Sequence, residues 1–247
     1  MSSAPSVIPS WRDTPHPGSG APHNRYQGTG WSYDANGIYV DGCSAPQRTP
    51  GEPFTCRAIC TLFAPLLIVR SIESGIAPEL IAMIIANETA SFRASGYTVP
   101  TTFHWEPGVT VHDGAAAVSR RLQRGPMQIL ASNARALIRD QGWNIDPIAA
   151  FPAYRIRPAA PPEDIPGYRP DLNIPLGVLV MRNNRVESGG DPILTAATYN
   201  AGGVYDASGS RKFANRWHLR STGNYLDRAA KWYGDACAVI AALRQFA

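Results

Sequence analysis

Lysine is nearly missing from this 247-residue chain, which carries only Lys212 and Lys231. Arginine supplies the rest of the basic charge, and 23 basic against 19 acidic residues leave a net charge of +4. No dense Lys/Arg run occurs, which argues against a dedicated nucleic-acid binder. A mildly basic surface suits anionic polymers in general, acidic lipid and cell wall included, and does not choose among them. Long apolar runs are lacking too. The run over residues 62–69, closed by Thr61 and Arg70, is far too short to span a bilayer, so no stable membrane insertion is expected. The opening MSSAPSVIPSWRDTPHPGSG has no basic start followed by an apolar core, so it does not read as a secretory signal. No internal repeat is visible. What is there suffices for a core: 44% of residues are hydrophobic and 17% charged, which excludes global disorder. The length fits one large domain, or one domain with a small appendage, and a monomer is the expected state.

The four cysteines are Cys43, Cys56, Cys60 and Cys237. An even count permits two disulfides in three connectivities, with four reduced thiols as the alternative. Cys56 and Cys60 fall on one expected helix, so each pairs more readily with a distant partner than with the other. No histidine lies at ligand spacing from them, and neither a metal nor a cofactor is expected.

Residues 1–53 are rich in Pro, Gly, Ser and Asn and read as an irregular N-terminal arm or small appendage. Within it, residues 31–42 resemble a hairpin, with Asn36-Gly37 as the turn signal between aromatic and branched residues. From residue 54 the pattern turns helical and continues to 247. FTCRAICTLFAPLLIVRSIESG reads as one helix, kinked at Pro65 and stopped near Gly75. Pro78 opens the next helix, over APELIAMIIANETASF. Residues 96–118 lose helical period and read as a loop or small β excursion. LQRGPMQILASNARALIRDQG returns to helix after Gly125-Pro126, and residues 151–170 read as a Pro-rich surface loop. Three more helices follow, the last with an apolar stripe at Leu226, Ala229, Ala230, Tyr233, Cys237 and Ile240.

The helix after Pro78 carries the first candidate for chemistry. Its apolar face, Ile81, Ile84 and Ile85, continues to Glu88, which places a carboxyl on the face expected to be buried. Burial and the helix C-terminus both disfavour negative charge, and both raise a carboxyl's pKa toward the range a general acid needs. The alternative is a structural carboxylate paired with Arg93 or Arg124.

A series of short motifs follows in order: NETASF with Glu88, then Ser119 ahead of GPMQIL, DLNIPLGVLV, AATYNAGG and TGNYL. Together they resemble the soluble (family 1) lytic transglycosylases of the lysozyme-like superfamily. That family pattern is a catalytic Glu followed by Ser or Thr, a Ser before G-x-M-Q-I, an N-I-x-x-G helix, an A-A-Y-N-A-G element and a closing N-Y helix. The resemblance spans roughly residues 54–240. It implies a mainly α, α+β lysozyme-like catalytic domain over residues 54–247. The implied activity is cleavage of peptidoglycan between N-acetylmuramic acid and N-acetylglucosamine, with Glu88 as the single acid and base and no cofactor. It also implies a substrate cleft containing Ser119, Gly125, Met127, Gln128, Tyr199, Asn200 and Tyr225. Within the family, the tyrosine matching Tyr199 orients the catalytic Glu, and the serine matching Ser119 contacts the substrate N-acetyl group. With no leader visible, such an enzyme is expected to reach the periplasm and cell wall by phage lysis, in a virion or through a secretion machine.

The chain departs from the family between Glu88 and Met127, which lie 39 positions apart, more than the family norm. Leu122 and Gln123 replace the usual small residues, and the insertion carries Phe103, His104, Trp105, Glu106, His112 and Asp113. It can act as a set of sugar platforms, a lid, a passive loop, or the source of a second carboxylate. If Glu106 or Asp113 places a water, the reaction becomes hydrolysis, as in a goose-type muramidase. A catalytically silent wall-binding or virion structural protein is the reading from a different class.

Overall fold

In the computed structural model, described residues are 9–89, 104–111, 119–124, 126–151, 169–205, 213–221 and 223–247. They are mainly helical, with two small antiparallel sheets of three strands each.

The N-terminal arm is ordered from a short 3-10 turn, Trp11–Asp13, through strands β1 (Gly20–His23), β2 (Trp31–Asp34) and β3 (Gly37–Val40), paired in that order. The hairpin lies where the Asn-Gly signal put it, but its two linking residues are Ala35 and Asn36, one position earlier than the signal. Asp34 Oδ1 accepts the Asn36 and Gly37 N–H groups at 2.7 and 3.2 Å. Gly37 takes φ +144° as the first residue of β3, and a Cβ there would stand 2.9 Å from Pro46 Cβ. Glycine is needed at the strand entrance rather than in the link.

The expected single helix around Pro65 is two helices, α1 (Phe54–Leu62) and α2 (Ala64–Ser74), bent by 80°. Pro65 sits in the first turn of α2, where its missing N–H costs nothing. The proline therefore starts a helix instead of kinking one. Gly75 ends α2 in the left-handed conformation, φ +68°, as its position suggested. The next helix, α3, is Pro78–Thr89.

The segment around residue 120 differs most from expectation. Strands β4 (His104–Val111), β5 (Ser119–Arg124) and β6 (Ile129–Leu130) form the second sheet, and residues 126–128 are the turn before β6. Helix begins only with α4 (Ala131–Asp140), followed by the one-turn α5 (Pro147–Ala150) capped by Asp146. Then come α6 (Pro170–Ser188), α7 (Pro192–Ala201) and α8 (Tyr225–Phe246). The expected apolar stripe of α8 is buried throughout.

The chain divides into two compact units, residues 1–87 with 181–247, and residues 88–180. The division falls inside α3 and inside α6, not at residue 53. In the first unit, β3, α1 and α7 pack on α8. The arm is tied to α8 by Arg48 Nη1, which donates to the Gly234 carbonyl at 2.6 Å, and by Thr49, which bonds Asp235 through both its N–H and its hydroxyl. Gly234 has no room for a side chain, since a Cβ would run into the Gln47 carbonyl oxygen. All four cysteines are free thiols. Cys56, Cys60 and Cys237 are buried and Cys43 is exposed. Burial pushes the three inner thiols well up, which keeps them protonated and unreactive. Among the described residues no single helix is long and apolar enough to cross a membrane.

Candidate active site

Helix α3 is buried on every side from Pro78 to Asn87. The expectation of one apolar face leading to Glu88 is therefore replaced by a different picture: there is no exposed face to oppose it. Such a helix is hydrophobic all round because it runs through a core. Glu88 is the first residue of α3 to regain partial exposure. It is part-exposed between two buried residues, Asn87 and Thr89.

The residue before it, Asn87, is buried and donates through Nδ2 to the Tyr225 carbonyl at 3.2 Å. This bond fixes the end of α3 against the start of α8 within the first unit. The same unit holds two other predicted residues. Tyr199 and Asn200 are half-buried on the last turn of α7. That helix is set by local signals at both ends: Asp191 accepts the Ile193 and Leu194 N–H groups, Pro192 occupies the first turn, and Gly202 closes it at φ +73°. Asp191 also accepts Trp31 Nε1 at 2.9 Å, and His23 Nε2 lies 3.3 Å from the same oxygen, so the arm holds the start of this helix. At its other end, Ser221 donates to Asn200 Oδ1 at 3.3 Å, four positions before the buried Tyr225.

In the second unit, Met127 and Gln128 lie in the turn between β5 and β6, and both are buried. Gln128 has φ +47°. A non-glycine residue in the left-handed region costs about 1–3 kcal/mol, and such strain persists only where neighbours over-determine it. The neighbours are on α6. Asn173 accepts the Met127 N–H at 2.8 Å, and Gly177 lies against the Met127 side chain. Ser119 is the first residue of β5, in register with Val111, and Glu106 is on β4. Gly125 and Asp113 lie outside the described residues.

Asn87 carries no signal in the sequence, and Asn173 and Gly177 stand out only through the N-I-x-x-G spacing. The sequence analysis also passed over Glu79, the other carboxyl of α3. Glu79 is 2% exposed and accepts from Arg244 Nη1 at 3.0 Å. Its pKa is pushed up to about 7 by burial, with Arg244 pulling it back. Arg244 in turn donates to the Trp11 and Pro15 carbonyls, to Thr14 and to His16 Nδ1. Glu79 is thus a buttress for the arm.

A cavity of about 110 Å³ in the first unit, bordered by Tyr33, Gly75, Arg185 and Thr195 among others, touches none of the predicted site residues. Among the described residues, no three His, Cys, Asp or Glu side chains are grouped to hold a metal ion. No protein-family model, curated protein or solved structure matches the chain.

Proposed function

We propose that this protein cleaves the glycan strands of peptidoglycan between N-acetylmuramic acid and N-acetylglucosamine, as a lytic transglycosylase. Two independent facts meet on Glu88 and carry the reading. It heads the ordered motif series, and it is the first residue of a core helix to reach solvent. The strained, buried Gln128 beside Met127 adds support, because strain of this kind collects at ligand-binding sites.

In the proposed reaction, the Glu88 carboxyl gives its proton to the glycosidic oxygen as the bond from C1 of the muramoyl sugar breaks. The substrate's own N-acetyl oxygen stabilises the cation that develops. The Glu88 carboxylate then takes the proton of the C6 hydroxyl, and O6 closes on C1 to give a 1,6-anhydro ring. Glu88 ends protonated, as it began, and no second carboxylate is required. Ser119, Gly125, Met127, Gln128, Tyr199, Asn200 and Tyr225 are proposed to line the sugar subsites. The proposed place of action is the periplasm or cell wall, reached by phage lysis, in a virion or through a secretion machine.

Mass spectrometry of purified peptidoglycan digested with the full chain tests the reading. Anhydromuramic ends are the expected product. Reducing ends would replace the lyase with a hydrolase in which Glu106 or Asp113 places the water. Absence of any cleavage would leave the silent wall-binding or virion protein.

A further inference from the structure

We propose that Asn173, together with Gly177, is a positioning residue that sets the Gln128 side chain for substrate by clamping the Met127–Gln128 turn onto α6. The inference rests on the functional reading above and goes beyond it by assigning work to a helix that carries no candidate catalytic group.

The clamp has two points of attachment. The Asn173 carboxamide oxygen accepts the Met127 N–H at 2.8 Å, with Asn173 fully buried. Four positions later, one helical turn along the same face, Gly177 provides the seat for the Met127 side chain. A Cβ at Gly177 would stand 2.8 Å from Met127 Cβ and closer still to its Sδ. Any larger residue must push Met127 out of its place. Gln128, the next residue, holds φ +47° and is 4% exposed.

A turn with a left-handed, non-glycine residue relaxes to an ordinary conformation unless its neighbours prevent it. Here the residue immediately before Gln128 is tied by backbone and side chain to α6. Met127 is held both at its N–H and at its side chain, so the chain enters Gln128 from a residue that cannot shift without losing the bond to Asn173 or the seat on Gly177. The choice of residue type fits this work. A neutral carboxamide supplies an acceptor in a dry site, whereas a carboxylate would bury charge. Alanine would leave the Met127 N–H without this acceptor.

Hydrogen exchange and kinetics on the full chain test the clamp together. In the wild type, the Met127 amide is expected to exchange at least about a hundredfold more slowly than in an unstructured peptide. Asn173→Ala is expected to abolish that protection and to raise KM for peptide-stripped glycan strands about tenfold, with kcat changed far less. Asn173→Asp keeps the acceptor. It is expected to keep both the protection and the wild-type KM, even where its melting temperature falls. A purely structural asparagine would instead give two variants whose KM is unchanged per folded molecule, which would overturn the proposal. Gly177→Ala approaches from the other side and is expected to raise KM with Asn173 intact. If Asn173→Ala does not fold, the wild-type exchange and the Gly177→Ala and Asn173→Asp kinetics still decide. Wild-type activity with a freely exchanging Met127 amide sinks the clamp. A protected Met127 in a wild type that cleaves no glycan sinks the functional reading instead, and with it the role in substrate placement.

Discussion

Glu79 and Glu88 are nine residues apart on one helix, and they meet opposite surroundings. Glu79 is sealed in the core with Arg244 on its carboxylate, and Arg244 is wrapped by the arm from Trp11 to His16. Glu88 stands where the same helix first reaches solvent. A raised pKa points to Glu79 as a candidate acid, since burial pushes its carboxyl up to about 7. Access decides against it. A carboxyl with no route to substrate and a guanidinium held against it works as a strut, however well its pKa matches acid catalysis. The difference teaches that perturbed titration marks burial first and chemistry only where solvent can enter.

The largest expected effect tests the chemical half of this contrast. Glu88→Gln should lower glycan cleavage by about 10³-fold while leaving the melting temperature unchanged. Turbidity clearing of permeabilised Gram-negative cells, with calorimetry beside it, checks both. Full activity in that variant would break the comparison at its base. The scaffold half is tested next by deleting residues 1–53. This removes the arm's bonds to Arg244, Gly234 and Asp235 together with the buried Trp31 and Ile38, and the melting temperature should fall by more than about 10 °C. Unchanged stability with weaker wall binding would instead make the arm a separate binding module.

Glu79→Ala is a smaller version of the same test. At pH 8 it leaves the Arg244 charge without its carboxylate and should cost about 3 kcal/mol. For a chain of this size that is a drop of roughly 6–12 °C, with activity per folded molecule unchanged. The last effect is a slope spread over several pH units. Because the Glu79 carboxyl is raised from its ordinary 4.5 to about 7, the folded protein binds that proton more tightly than the unfolded chain does. Its contribution to stability is greatest below pH 4.5, falls as pH rises to about 7, and is level above. Melting temperatures measured from pH 4 to 8 should show this decline in the wild type. Glu79→Gln should flatten it, and an identical slope in both would show that another group is responsible.

Much of the fold was legible wherever a signal acts over one turn of chain. Gly75 and Pro78 mark helix ends by chemistry that needs only near neighbours. The hairpin was legible too, although its link lies one residue earlier, because Gly37 is required by Pro46 and Gly234 rather than by the turn itself. The misreadings share a cause. Pro65 was taken as a kink because the sequence does not say on which side of it a helix begins. The sequence after Gly125-Pro126 reads as helix because short apolar stretches carry no decisive period, and strand pairing of residues 129–130 with 123–124 overrides the local pattern. For the candidate site, the identities of Glu88, Met127, Gln128, Tyr199, Asn200 and Tyr225 could be read from motif order. Their settings could not.

By itself, then, the sequence determined a mainly helical chain with an N-terminal arm or appendage, some of its helix ends, and a short set of residues worth testing as a site. Only the tertiary structure decided that α3 is a core helix with no open face, that Glu79 is engaged by a residue 165 positions away, and that Gln128 is held left-handed beside Asn173. The physical reason is range. Caps and turns are settled by hydrogen bonds a few residues long, whereas burial and strain are settled by whatever distant segment packs alongside, and a linear pattern carries no record of which segment that will be.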